Sequence, residues 1–256
     1  MDVYWLEQSE ADVPIENDWL GGSEVVRLDS MRFARRRADW RLGRWTAKRA
    51  LAACLNVSGH PRALSHIELR PAPSGAPEVF FANKPMPVSI SLSHRSAVAA
   101  CAVALCEGAL GCDLEAIEPH SEAFVEDYFT AEEQALVARV TAADRPRLLA
   151  VLWSAKESAL KALRAGLRLD TRCVTVSLVD ALQPGGGNGG QHLEDRPLAT
   201  RSSLAPQDWR PLLVHYTEGQ LFHGWWHHTS GLVRTLVAVP TPVSPILVDI
   251  QKAGKY

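Results

Sequence analysis

The sequence lacks the features that mark membrane proteins, secreted proteins and nucleic-acid binders. Its longest wholly apolar run, residues 97–106, is too short to cross a bilayer, and the N-terminus lacks a signal-peptide pattern. The five cysteines are odd in number and form no C-x-x-C pair, which indicates reduced thiols. The formal net charge of -2 gives no general attraction to nucleic acid. These absences predict a soluble cytoplasmic protein with neither a membrane nor a nucleic-acid partner.

Apolar periodicity divides the chain into helices and short strands. Long helices are predicted over residues 30–55 and 144–163, and a shorter helix follows Thr130, with Glu133 at its capping-box position. Strands are predicted at 3–6, 67–70, 78–81, 88–92, 97–106, 109–114, 174–179, 212–216, 221–226 and 233–239. The glycine-rich stretch 185–190 is predicted to be a loop. This mixture predicts an α+β fold.

The two long helices contain similar stretches. Residues 45–48 read Trp-Thr-Ala-Lys and residues 153–156 read Trp-Ser-Ala-Lys. Each stretch lies on a helix that precedes strands. The repeat predicts two similar halves, each a long helix packed on a small, mostly antiparallel sheet.

The first long helix is strongly basic. Residues 32–49 contain eight basic residues and one acid, Asp39. The cations Arg37, Arg41, Arg44 and Lys48 follow one edge of the helix at helical spacing. Such a row is either a solvated face whose aliphatic stems cover the core or an anion-binding surface. The pattern alone leaves both interpretations open.

Three carboxylates indicate a metal site. Asp113 and Glu115 lie two residues apart in a predicted strand and therefore point to the same side, where they repel each other unless a cation lies between them. Glu157 lies on the second long helix, four residues before Lys161. Oxygen ligands alone suit Mg²⁺, which commonly also binds phosphate oxygens. The competing interpretations are a solvated strand end and a surface Glu157–Lys161 pair.

Ser93 and His94 follow a predicted strand. A hydrolase is not favoured, because there is no G-x-S-x-G elbow. A hydroxyl and an imidazole at a strand end suit phosphate instead, and Lys84 could join them, although it could equally be an ordinary turn lysine. The histidines at positions 223, 227 and 228 are interpreted as sheet-surface residues rather than metal ligands.

Four motifs together resemble those of a known family. Three are residues 91–94 (Ser-Leu-Ser-His), 111–115 (Gly-Cys-Asp-Leu-Glu) and 129–133 (Phe-Thr-Ala-Glu-Glu). The fourth is the stretch 153–161, which has the pattern W-x-x-K-E-x-x-x-K. The basic stretch 41–48 also fits. In order and spacing this sequence resembles the 4'-phosphopantetheinyl transferases of the long, Sfp-like type. Cys112 replaces the branched aliphatic residue more usual in the second motif.

The resemblance implies a monomeric pseudo-dimer with internal two-fold pseudosymmetry, divided into residues 1–116 and 117–256, with coenzyme A bound between the halves. It implies transfer of the phosphopantetheine arm to a serine of an apo acyl or peptidyl carrier protein of fatty-acid, polyketide or nonribosomal-peptide biosynthesis, with release of 3',5'-ADP. Asp113, Glu115 and Glu157 would hold Mg²⁺, Glu157 would act as the base, and Lys161 would stabilise phosphate charge. The residues expected to contact coenzyme A are Arg37, Arg41, Arg44, Lys48, Lys84, Ser93, His94, Lys156 and Lys161.

Two other functions remain open on the sequence. One is a Mg²⁺-dependent phosphohydrolase acting on a coenzyme A-like or nucleotide substrate, with water in place of the carrier serine. The other is a nucleic-acid-binding module built on the basic helix, which the nearly neutral total charge disfavours.

Overall fold

The computed structural model describes residues 1–178, 209–229 and 231–250, and these contain both helices and sheets. The helices are α1 (Gly22–Asp29), α2 (Ala34–Cys54), α3 (Pro61–Leu64), α4 (Glu122–Tyr128), α5 (Ala131–Val137) and α6 (Arg145–Ala162). The strands are β1 (Tyr4–Ser9), β2 (Ile67–Pro71), β3 (Pro77–Phe81), β4 (Lys84–Pro85), β5 (Ser89–Arg95), β6 (Val98–Ala104), β7 (Ala109–Ala116), β8 (Val174–Leu178), β9 (Arg210–Tyr216), β10 (Leu221–Thr229), β11 (Leu232–Val239) and β12 (Ile246–Leu247). The predicted loop at 185–190 lies outside the described residues.

The strands form three sheets. One has the order β12-β1-β6-β5, the second β7-β11-β10-β9-β8, and the third β2-β3-β4. Neighbouring strands are antiparallel, except that β12 runs parallel to β1. The predicted α+β class is confirmed. No helix in the described ranges is long and apolar enough to cross a membrane.

The predicted long helices and most predicted strands are present, with differences at their ends. Helix α2 begins at Ala34 rather than near residue 30, because the preceding helix α1 ends there and Ser30 is its C-terminal cap. Helix α1 itself falls in a region predicted to be irregular. Thr130 caps α5, and Glu133 completes the predicted capping box. The two-residue strands β4 and β12 have no clear sequence signal.

Strand β7 belongs to the five-stranded sheet, whose other strands all follow α6 in the chain. This strand precedes the predicted boundary at residue 116, yet it pairs with β11 along its whole length. A division between the two larger sheets therefore falls at residues 105–108, between β6 and β7. The chain also returns to its first half at the end, because β12 extends the sheet beside β1.

The two halves repeat one order of elements. In the first, β1 is followed by the short helix α1, the long helix α2 and further strands, and the last of them, β6, pairs with β1. In the second, β7 is followed by α4 and α5, then by α6 and strands, and β11 pairs with β7. Each long helix packs on its own sheet, as the repeated Trp-x-Ala-Lys stretch predicts.

Each half contains a buried lysine–glutamate ion pair. Lys48 Nζ lies 2.5 Å from Glu24 Oε2, and Lys156 Nζ lies 2.8 Å from Glu133 Oε2, with both lysine side chains fully buried. Burial lowers the pKa of both lysines, and the partner glutamates oppose this effect. Both ammonium groups also donate to two backbone carbonyls.

The two glutamates are held in the same way. Glu24 accepts from the backbone N–H groups of Gly21 and Leu69, at 3.0 and 3.2 Å. Glu133 accepts from the equivalent groups of Thr130 and Val176, both at 2.9 Å. Each pair therefore ties a long helix to the start of the short helix before it and to the first strand after it.

This burial corrects the expectation that Lys48 and Lys156 contact coenzyme A. Neither ammonium group is accessible to a ligand, since each is enclosed by a carboxylate and carbonyl oxygens. The repeated Trp-x-Ala-Lys stretch thus marks a structural anchor in both halves.

We expect Lys48→Ala to destabilise the fold by about 3–5 kcal/mol, because it removes the closer cation of the buried Glu24 and leaves this carboxylate with Arg44 at 3.7 Å. Arg35→Ala is the matched control: Arg35 is 86% exposed and lies 3.9 Å from Asp39. Such a surface pair contributes about 0–1 kcal/mol. Urea unfolding measures both free energies, and similar losses for the two variants would contradict the assigned anchor role.

Candidate active site

Helix α6 lies unusually close to strand β7. Gly111 makes this possible, because a methyl group there would lie only 1.8 Å from the backbone oxygen of Ser158. The helix is also bonded to β11, where the Ser154 and Ser158 hydroxyls lie 2.8 and 2.7 Å from the Thr235 hydroxyl. Since Thr235 pairs with Asp113 in the sheet, these contacts fix α6 above the acidic end of β7.

Lys161 joins the acidic residues of the strand and the helix. Its Nζ lies 2.6 Å from Asp113 Oδ1 and 3.9 Å from Glu157 Oε2. It also donates to the Cys112 carbonyl oxygen at 3.1 Å. Glu157 and Lys161 therefore form a mostly buried cluster with Asp113 rather than an isolated surface pair.

Glu115 completes the acidic cluster. Arg95 Nε lies 3.6 Å from Glu115 Oε2. The charges of the four predicted residues therefore influence one another. They are Asp113, Glu115, Glu157 and Lys161.

The electrostatics of the cluster favour added positive charge. Burial, followed by repulsion from Asp113, raises the pKa of Glu157 to about 7, against the opposing effect of Lys161. The same two causes raise the pKa of Glu115. Burial is the largest single effect on Lys161 and lowers its pKa, but Asp113, Cys112 and Glu157 together outweigh burial, so the net change in this pKa is upward.

The oxygens fit a hard cation such as Mg²⁺. Asp113 is 2% exposed, and its Oδ2 is buried without a hydrogen-bond partner among the described residues. An ionised oxygen buried in this way is costly unless it is paired, and carboxylate oxygens are preferred Mg²⁺ ligands. Within the described ranges, no three His, Cys, Asp or Glu side chains are arranged closely enough to hold a metal ion together. Asp113, Glu115 and Glu157 nevertheless provide the chemically suitable donors.

Ser93 and His94 lie near this cluster but point to different surroundings. The Ser93 hydroxyl donates to Asp113 Oδ1 at 2.8 Å. His94 is exposed and lines a shallow depression of about 190 Å³ with Arg35 and Arg95. The two residues therefore do not form a nucleophile–base pair.

A cleft of about 750 Å³ lies between the two halves, and Lys161 is one of its lining residues. Strands β3 and β5 line one side, and the segment after α6 lines the other. Its basic residues are Arg44, Lys161, Arg164 and Arg168, and its acidic residues are Glu78 and Glu107. Arg168 also bridges the halves, because its Nη2 donates to the Ser74 carbonyl oxygen at 2.8 Å.

Most cations on the predicted basic edge of α2 bind groups of the protein itself. Arg37 donates to the Leu28 carbonyl oxygen at 2.7 Å, and Arg41 donates to carbonyl oxygens of residues 14–16. Only Arg44 of this edge lines the cleft, where its guanidinium lies 5.0 Å from the Trp40 ring. Lys84 is exposed on β4 and is not among the cleft residues.

Two cleft cations have no place in the predicted ligand set. Arg164 follows α6 directly, and Arg168 ends the 3-10 turn Gly166–Arg168. The sequence could have indicated these two arginines by their position within seven residues after Lys161, because a chain that leaves the helix there stays close to the site.

One family model matches the part of the chain that contains the acidic cluster. Residues 109–211 match the sequence model of the ACPS family, described as the 4'-phosphopantetheinyl transferase superfamily. This part of the chain, which is less than half of it, is therefore similar to the superfamily predicted from the motifs. The long, Sfp-like type stays a prediction.

Other comparisons add little. The crystal structure of the Thermotoga maritima holo-(acyl-carrier-protein) synthase (AcpS) is similar over 50% of this chain and 74% of its own, at 20% identity and a TM-score of 0.32. A likeness of this size carries no argument about function. No curated protein matches this chain.

Gly111→Ala should destabilise the protein by more than about 2 kcal/mol and weaken the Lys161–Asp113 contact, because α6 has to move away from β7. Gly43→Ala is the matched control within α2, where a methyl group meets nothing within 4 Å. That change should stabilise by about 0.5–1 kcal/mol. Urea denaturation measures the free energy of unfolding of both variants. An unchanged free energy in Gly111→Ala would contradict the close approach of α6 to β7.

Without metal, the raised pKa of Glu157 should make stability fall as pH rises from about 4.5 to 7. In that range the native state keeps a proton that the unfolded state has released. In EDTA, the wild type should lose about 1–3 kcal/mol more than Glu157→Gln between pH 5 and pH 8. Urea unfolding at both pH values measures this difference. Equal pH dependence in both proteins would show that Glu157 titrates normally.

Proposed function

We propose that this protein transfers the 4'-phosphopantetheine arm of coenzyme A to a serine of an apo acyl or peptidyl carrier protein and releases 3',5'-ADP. The observation that carries the proposal is the joining of Asp113 and Glu157 by Lys161, which also lines a cleft with more basic than acidic residues. The superfamily match, which covers these three residues, supports the same reaction.

The cleft suits coenzyme A in size and charge. Its volume of about 750 Å³ lies within the usual range for sites that enclose a cofactor. Arg44, Arg164 and Arg168 offer cations for the 3'-phosphate and the pyrophosphate. Apolar residues such as Phe80 and Met86 provide a surface for the uncharged parts of the ligand.

Asp113, Glu115 and Glu157 would hold Mg²⁺, which when bound neutralises charge on the pyrophosphate. Phosphoryl transfer depends mainly on positioning and on charge neutralisation. Lys161 adds a fixed ammonium group from the chain itself, held in place by Asp113 and the Cys112 carbonyl. It stabilises negative charge that grows on the phosphate oxygens during the displacement.

Glu157 takes the proton from the carrier serine. The serine oxygen forms a bond to the phosphorus that carries the pantetheine arm, and the bond from that phosphorus to the oxygen of 3',5'-ADP breaks. The pKa of Glu157 is raised to about 7 in the metal-free site, and a bound cation would lower it again. The carboxylate would then be ionised at neutral pH, as a general base requires.

The proposal includes the long, Sfp-like type: a monomer whose two halves form a pseudo-dimer around the cleft. The repeated order of elements and the two equivalent lysine–glutamate pairs support it. A reducing, cytoplasmic location is part of the proposal, and it agrees with five cysteines that are all free thiols.

The activity is tested by incubating the protein with coenzyme A, Mg²⁺ and a panel of apo carrier proteins from fatty-acid, polyketide and peptide-synthetase systems. Mass spectrometry should show one added phosphopantetheine arm on at least one carrier, and EDTA should abolish the addition. No modification of any carrier would overturn the proposal. Release of 3',5'-ADP without a carrier would indicate a phosphohydrolase.

Variants separate the role of Glu157 from that of Asp113. Glu157→Gln should lower kcat by about a hundred- to ten-thousand-fold even at saturating Mg²⁺, because the general base is lost. Asp113→Ala should raise the Mg²⁺ requirement, and extra Mg²⁺ should restore part of the rate. Glu132→Gln, on the exposed face of α5, is the charge-matched control and should leave kcat unchanged. Full rescue of Glu157→Gln by Mg²⁺ would reduce Glu157 to a ligand.

A further inference from the structure

Strands β5 and β7 belong to different sheets, yet serine hydroxyls of β5 bind the backbone of β7 and its preceding turn. Ser89, Ser91 and Ser93 alternate along β5 and therefore share one face. Their Oγ atoms accept N–H groups of the second half, from Gly108 at 3.0 Å, Cys112 at 2.9 Å and Leu114 at 3.1 Å. The three serines thus form a row of equivalent contacts between the halves.

Ser93 makes one contact that the other two serines do not. Its hydroxyl donates to Asp113 Oδ1 at 2.8 Å, whereas the Ser89 hydroxyl donates to the Gly108 carbonyl oxygen. Because the Ser93 oxygen also accepts the Leu114 N–H, its position is fixed from the backbone. A serine hydroxyl has one proton, and here that proton is directed at the carboxylate.

The two oxygens of Asp113 consequently have different roles. Oδ1 accepts from both Ser93 and Lys161. Oδ2 is buried and has no hydrogen-bond partner in the described part of the chain. Two donors on one oxygen restrain rotation of the carboxylate, and they leave Oδ2 as the Asp113 oxygen that is available to a cation.

We infer that Ser93 is a positioning residue that orients Asp113 for metal binding, rather than a contact to coenzyme A. The inference rests on the proposed function, because it assigns the cation to the cluster of Asp113, Glu115 and Glu157. Residues that hydrogen-bond to a metal-binding carboxylate fix its geometry, and their loss commonly lowers metal affinity about ten- to a hundred-fold.

The test measures Mn²⁺ affinity of the protein with saturating coenzyme A and no carrier, by electron paramagnetic resonance. Ser93→Ala should weaken Mn²⁺ binding about ten- to a hundred-fold. Ser91→Ala is the matched control, since it also removes one backbone acceptor but touches no carboxylate. It should change Mn²⁺ affinity by less than about twofold. Ser93→Thr keeps the hydroxyl and should restore binding.

A second measurement distinguishes orientation of Asp113 from contact with the ligand. Affinity for 3',5'-ADP in EDTA should be the same in the wild type and in Ser93→Ala. A loss of 3',5'-ADP affinity with unchanged Mn²⁺ affinity would overturn the inference and place Ser93 on the ligand. Equal Mn²⁺ losses in Ser91→Ala and Ser93→Ala would overturn it as well, because the effect would then be structural. Failure of the proposed function appears separately, as absence of arm transfer by the wild type.

Discussion

Helix α6 can lie against β7 only because residue 111 has no side chain. The backbone oxygen of Ser158 occupies the space where a side chain would begin. At that distance Lys161 reaches both a carbonyl oxygen and the Asp113 carboxylate of the strand. Helices usually pack on sheets through side chains, which would separate these groups. The glycine of the stretch 111–115 therefore determines the geometry of the acidic cluster as directly as its carboxylates do.

The lysine–glutamate anchor occurs in both halves, whereas the acidic cluster occurs in one. Consecutive residues on a helix point about 100° apart, so the core-facing Lys156 leaves the next residue, Glu157, at the site. In α2 the residue after the buried Lys48 is Arg49, which donates to the Gly59 carbonyl oxygen. The equivalent of Lys161 there is Ala53. The lysine–glutamate anchor is thus part of the repeated architecture, whereas the acidic cluster is found, among the described residues, in the second half alone.

Sequence reasoning succeeded where structure follows from local spacing, as it does for the helices and the capping box at Thr130. The convergence of Asp113 with Glu157, which lie far apart in the chain, was expected only from the resemblance of their motifs to a known family. Sequence reasoning failed for the basic edge of α2, because Arg37 and Arg41 bind carbonyl oxygens of earlier segments that helical periodicity does not describe. It also failed for Lys48 and Lys156, whose burial depends on a distant glutamate. Partners far apart in the chain are a property of the tertiary fold.

The acidic cluster and the cleft beside it have opposite excess charge, and Lys161 belongs to both. In the cluster, three carboxylates are paired with Lys161 and Arg95, and Arg95 is shared with Glu118. The cluster therefore attracts cations. The cleft is lined by four basic residues, Arg44, Lys161, Arg164 and Arg168, and by the acidic Glu78 and Glu107. Under the proposed function, a ligand with several phosphates would bind the metal cation with one group and the cations of the cleft with another, and two such contacts would fix its direction.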